Sequence, residues 1–122
     1  MADKLIIVMV NTDPKNPSEL GAPFFQATVA ASMEYDVEVI LTGRAGELAK
    51  KGVAENITLH VAGSKTVYDY MKEAYEAGVK FKVCTPTLDL WGDDLIPEVT
   101  ETIGSAYIIS EAMSDNTVTF TY

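Results

Sequence analysis

The sequence predicts an α/β fold: a three-layer α/β/α sandwich around a mostly parallel five-stranded sheet. Three observations predict it. The chain opens on a nearly continuous apolar run, Lys4 to Val10 (KLIIVMV), of the kind a strand buried on both faces needs. Short β-branched runs then alternate with segments whose apolar residues recur every three or four positions. The connections are long enough for right-handed crossovers, which parallel pairing requires. At 122 residues, 48% hydrophobic and 22% charged, the chain is expected to be one domain over residues 1–122, with a core that needs no metal or disulfide.

Each element follows from its residues. After the opening strand, the loop from Asn11 to Leu20 is rich in Asn, Asp and Pro and stops the run. Gly21 to Tyr35 is rich in Ala and sets Phe24, Ala27, Thr28, Ala31 and Tyr35 on one helical stripe. Val37 to Leu41 (VEVIL) reads as the second strand, and Ala45 to Lys51 as a short helix ended by Gly52. Ile57 to Val61 (ITLHV) is a third β-branched run. Ser64 is positioned to cap the next helix, which carries Val67, Met71, Ala74 and Tyr75 and ends at Gly78. Val79 to Cys84 (VKFKVC) alternates apolar with Lys80, Lys82 and Cys84, as a strand near a sheet edge does.

In the last third, the segment TPTLDLWGDDL reads as a loop. Pro97 is placed to open a helix, but the β-branched Val99, Thr100, Thr102 and Ile103, followed by Gly104, fit one long helix poorly, so a break is expected. Ser105 then caps a helix from Ala106 to Ser114, and Val118 to Tyr122 closes as a strand.

Composition narrows the function classes. Nine basic against 18 acidic residues give a formal net charge of -9, which argues against nucleic acid and anionic membranes as partners. Lys82 is the last basic residue, and seven acids follow it: Asp89, Asp93, Asp94, Glu98, Glu101, Glu111 and Asp115. They form either a solvated face or a surface for a basic partner. No apolar run reaches the roughly 20 residues of a membrane span. Met1 to Val10 holds acidic Asp3 and no small-residue cleavage pattern, so a cytoplasmic protein is expected. The one cysteine, Cys84, permits no internal disulfide and fits a reducing compartment.

Sites in open α/β sheets form outside the carboxyl ends of the strands. That places Asn11, His60, and Cys84 with the loop after it among the candidates. Cys84 alone is a good nucleophile near neutral pH, through its thiolate. Lys82 lies two residues earlier on the same strand face, about 7 Å away by the strand rise, where a cation would favour the thiolate. Trp91 either shields the thiol or anchors the core or a neighbouring subunit. Asp89, Asp93 and Asp94 would oppose a thiolate if they folded back on it. His60 is a possible base, with no spacing that ties it to Cys84. The ordinary alternative is that Cys84 fills space as a small buried hydrophobe. Phosphate-cradling glycine motifs are absent, and Asp13 and Asp36 make no convincing metal set, so no cofactor or metal is expected.

The opening KLIIVMV, the small-residue helix after it, VKFKVC, and the ending GSAYIISEAMSDNTVTFTY together resemble the DsrE/DsrF-like family of small sulfur-relay proteins. The resemblance spans nearly the whole chain as a pattern of elements around one cysteine. It implies an α/β/α domain assembled as trimers or hexamers. Its cysteine, after the fourth strand, would accept or carry sulfur as persulfide or thiosulfonate and exchange it with a TusA-like carrier. That role falls on Cys84. The chain departs from a resolving pair in having no second Cys, and it has no Arg beyond Arg44 to hold an anionic sulfur group. The expected function is a sulfur carrier or sulfurtransferase-like protein. A scaffold of the same fold with a structural Cys84, or a small-molecule binder using the strand-end crevice, are the alternatives.

Overall fold

The computed structural model describes residues 2–59 and 65–122. Among these, five strands form one sheet: β1 (Lys4–Met9), β2 (Asp36–Leu41), β3 (Lys80–Cys84), β4 (Val99–Ile103) and β5 (Thr117–Thr121). Their order is β4-β3-β2-β1-β5, and all four pairings are parallel. The helices are α1 (Gly21–Ser32), α2 (Val67–Ala77), α3 (Thr85–Trp91) and α4 (Ser105–Ala112). The three-layer α/β/α sandwich is as the sequence predicts.

Alternation along the strands builds two unequal layers. On one side Ile7, Met9, Val37, Val39, Leu41, Phe81 and Val83 join Phe24 and Ala27 of α1 and Val67, Met71 and Ala74 of α2 in the main core. Phe24 and Phe81 meet there with ring centroids 6.2 Å apart and planes tilted by 48°, an arrangement the ring quadrupoles favour. On the other side Ile6, Ile40 and Ile103 form a smaller cluster under Tyr107 and Ile108 of α4. No residue of α4 is fully buried. That layer is thin.

The fifth strand is not the one expected. Ile57 to Val61 makes no strand among its described residues, which reach Leu59: Thr58 forms a single antiparallel bridge to Thr66. Tight turns hold the chain just before it, with Glu55 accepting from the Gly52 N–H and Asn56 donating to the Gly52 carbonyl. Both edges of β2 are already taken by β1 and β3. Ile57 and Leu59 pack half-buried against the main core instead. The place goes to Val99–Ile103, whose β-branched residues pair with β3, one residue being left over as a bulge between the Phe81–Val99 and Lys82–Glu101 pairs. The sulfur-carrying position expected after a fourth strand therefore ends the third.

Three smaller corrections concern helices. The segment read as a loop after Cys84 coils into α3, because Pro86 falls in the first turn, where its missing N–H costs nothing. The short helix expected at Ala45 to Lys51 starts and ends two residues earlier, as a 3-10 helix over Gly43–Ala49. For α2 the cap is Thr66: its hydroxyl accepts from the Asp69 N–H while the Asp69 carboxylate accepts from the Thr66 N–H, a complete capping box. Ser64, expected in that role, lies outside the described residues, as does His60.

Candidate functional site

β3 carries Lys82 and Cys84 to the face of the sheet that α4 covers, with Phe81 and Val83 facing the main core. Cys84 is the last residue of β3 and the N-cap of α3, with extended backbone at φ -73° and ψ 144°. Its side chain is 5% exposed. Across the sheet Cys84 is level with Ile103, the last residue of β4. The Thr85 hydroxyl donates to the Ile103 carbonyl at 3.2 Å, and Gly104, the N-cap of α4, follows at once. Two strand-to-helix junctions therefore stand side by side at the thiol. Neither helix has a side-chain cap or an acidic residue in its first turn. Helix N-termini of this kind favour negative charge.

The residues after Cys84 lock α3 in place. Thr87, fully buried, presses on Gly46 so closely that a Cβ added at Gly46 would collide with the Thr87 methyl. Its hydroxyl is buried without a hydrogen-bond partner among the described residues. The Trp91 indole donates to the Gly43 carbonyl at 2.9 Å. Trp91 thus anchors α3 to the 3-10 helix of the core. Asp93 and Asp94 lie past the far end of α3, roughly 10 Å along the helix axis from Cys84. Asp94 pairs with Lys51 at 3.3 Å. The opposition expected from these two acids is lifted by the helix.

Lys82 is not a free cation beside the thiol. Its ammonium is buried, donating to the Tyr107 hydroxyl at 2.8 Å and pairing with Glu38 at 3.0 Å and Glu101 at 3.7 Å. Tyr107 in turn donates to the Glu38 carboxylate at 2.8 Å. Lys4 reaches the same carboxylate at 2.8 Å and also contacts Glu111 of α4. Burial pulls the Lys82 ammonium towards neutrality, but Tyr107 and Glu38 outweigh it, and its pKa stands above that of a free lysine. Burial pushes the Glu38 carboxyl up, yet Lys4, Tyr107 and Lys82 hold it below the usual carboxylate range. The charges in this network are committed to one another.

Asn11 is exposed at the end of β1, its N–H bonded to the Tyr122 carbonyl at 2.9 Å. β2 separates it from β3, so about 10 Å lies between Asn11 and Cys84 by strand spacing. The site thus brings Cys84 together with the α3 and α4 junctions, and leaves Asn11 apart. The sequence alone does not single out Glu38, Tyr107 or Lys4. The available signal was a lone acid in VEVIL and a lone base in FKV, both on apolar strands. Among the described residues, no three His, Cys, Asp or Glu side chains cluster in a way that could hold a metal ion. No helix among them is long and apolar enough to cross a membrane.

The family model described as DsrE/DsrF-like matches residues 4–120. The chain is similar in structure to the YchN protein from E. coli, with a TM-score of 0.74, 16% identity and full coverage of both chains. It is also similar to a conserved protein of unknown function from Bacteroides thetaiotaomicron, with a TM-score of 0.66, 13% identity, and coverage of 98% of this chain and 95% of that one. At such identities the likeness is one of fold. No curated protein matches the sequence.

Proposed function

Because the chain belongs to the DsrE/DsrF-like family, we propose that it carries sulfane sulfur on Cys84 and passes it to a partner thiol. The observation that carries this reading is the place of the thiol. The chain's single cysteine ends a central parallel strand where two uncapped helix N-termini begin, the end of an α/β sheet at which chemistry is done.

The proposed step is a thiol exchange. The Cys84 thiolate attacks the outer sulfur of a donor persulfide, forming a new S–S bond as the donor S–S bond breaks and the donor leaves as a thiolate. An acceptor thiolate then attacks the sulfur held on Cys84, and the Cys84 thiolate leaves. The sulfane sulfur moves twice without net oxidation or reduction, so one thiol is enough. A thiosulfonate is carried on the same sulfur: the thiolate attacks an inner sulfur of tetrathionate and thiosulfate leaves, and an acceptor thiolate later takes the S–SO3− group as the Cys84 thiolate leaves. The reading places the protein in the reducing cytoplasm as a homo-oligomer, trimer or hexamer, with a small TusA-like carrier as exchange partner.

A second reading is favoured by one observation: at 5% exposure, Cys84 also fits a small packing residue in a scaffold of the same fold. Intact-mass measurement after polysulfide or tetrathionate separates the two. The carrier reading expects a sulfur adduct on the wild type that Cys84→Ser abolishes. An unmodified wild type under both donors rejects it and leaves the scaffold.

A further inference from the structure

We infer that the groove between α1 and β5 is a self-association surface, filled by the same groove of a second copy of this chain across a two-fold axis. The inference gives a surface to the homo-oligomer proposed above and rests on that part of the reading.

Four observations carry it. The groove encloses about 480 Å³. Of the exposed large apolar side chains, Phe25, Val29, Met33, Tyr35, Val118 and Phe120 all line it, each 41% to 61% exposed. Scattered apolar residues on a surface need no explanation, but a contiguous set marks a contact.

Charge is the second observation. α1 (GAPFFQATVAAS) has no ionisable side chain in 12 residues, on a chain of net charge -9. A helix with one face in water normally carries charge there. Among the described residues Lys4 is the only charged one in the lining, and its ammonium is turned to Glu38 and Glu111. A partner of opposite charge would find nothing to pair with here. A second acidic copy, repelled elsewhere, meets no like charge at this surface.

The third is the strand beside the groove. Among the described residues β5 (TVTFT) pairs only with β1 and leaves its outer edge open, with no charge or proline along it. The opposite edge, β4, is guarded by Pro97 and Glu98 just before it and by Glu101 within it. Open uncharged edges are templates for pairing with another strand. A two-fold axis beside β5 pairs it antiparallel with its copy, joins the two sheets, and sets the two α1 helices side by side on one face.

Area is the fourth. An aromatic side chain buries about 150–250 Å² and a valine or methionine somewhat less, so the exposed parts of the three aromatic and three aliphatic side chains come to roughly 500 Å² per protomer. That is about 1,000 Å² across the pair, at the threshold of a specific interface before any strand pairing is counted.

Sedimentation velocity on the full chain at 1 to 100 µM tests this, together with Val29→Glu and with Tyr75→Glu as a control on an exposed ring outside the groove. The wild type and the control are expected to form a hexamer or another even-numbered assembly, and a wild type that sediments as a trimer overturns the two-fold surface. Val29→Glu is expected to lower the assembly state or raise its dissociation constant at least 100-fold, with an unchanged circular dichroism spectrum. An assembly insensitive to both Val29→Glu and Phe120→Lys overturns this surface and leaves the homo-oligomer standing. A wild type that stays monomeric at 100 µM overturns both. Sulfur loading of Cys84, read by mass on the same samples, reports on the carrier reading separately.

Discussion

Lys82 and Glu38 lie on neighbouring parallel strands, and their charged ends meet at 3.0 Å beneath α4, both almost wholly removed from water. Tyr107 closes the triangle, and Lys4 and Glu111 extend it. A layer whose apolar cluster, among the described residues, holds three buried side chains is thus held to its helix largely by ionic and hydrogen-bonded contacts. Such a network is costly to break by halves, because each partner removed strands another buried charge.

Glu38→Gln should therefore destabilise the protein by about 3–5 kcal/mol in urea unfolding, since it leaves Lys4 and Lys82 without their shared carboxylate. The double change Glu38→Leu with Lys82→Met should lose less than the two single changes together, because it removes both charges at once. A single-mutant cost below 1 kcal/mol would show that water replaces the carboxylate.

Stability should fall at both ends of the pH scale. The Glu38 carboxyl is held below its ordinary 4.5, by Lys4, Tyr107 and Lys82 against burial. Its contribution is thus present above pH 4.5 and lost as pH drops through its folded value. The Lys82 ammonium is held above 10.5, by Tyr107 and Glu38 against burial. Its contribution is present below pH 10.5 and lost as pH climbs through its folded value. Urea midpoints measured across pH should show the acid limb shrink in Glu38→Gln.

Tyr107→Phe removes a hydroxyl that donates to Glu38 and accepts from Lys82 while keeping the ring. A loss of about 1–3 kcal/mol is expected. Amide exchange should speed up in α4 more than in α1, which is held by the other core.

Gly46→Ala forces apart the 3-10 helix and α3, because the new methyl meets the Thr87 methyl. Overpacking of this kind costs about 1–3 kcal/mol. Thr87→Ser removes the obstructing methyl, so the double variant should recover most of the melting temperature lost by Gly46→Ala alone. A double variant no better than the single one would locate the strain elsewhere.

Access to Cys84 should depend on the size of the reagent. With the side chain 5% exposed, a bulky maleimide should label the native protein at least ten-fold more slowly than the urea-unfolded chain. A small polysulfide should load it natively. Equal labelling of native and unfolded protein by the maleimide would mean that the thiol is open in solution.

The parts of the fold legible in the sequence were those whose local pattern had one outcome. KLIIVMV is apolar on both faces and could only be a central strand, and β1 is flanked by β2 and β5. Ile57 to Val61 and Val99 to Ile103 were locally equivalent, since β-branched residues suit any half-buried pleat. The choice between them was made by the sheet, where β3 had a free edge and β2 did not. The candidate site was legible as a residue, Cys84, but its neighbours were not. The two-residue spacing puts Lys82 on the face of Cys84, yet a spacing along one strand says nothing of Glu38 and Tyr107, which come from elsewhere in the chain.

The pairing of β5 with β1 joins opposite ends of the described chain. Asn116 donates to Asp3 across 113 residues, and the Tyr122 carbonyl receives the Val10 and Asn11 N–H groups. Closing so long a loop is slow, because the chain entropy is lost before the contact rewards it. Refolding should therefore reach a four-stranded species first, with β1 briefly a rim. During that interval its apolar edge is open to the wrong strand, so the speed of the final docking sets the time available for misassembly.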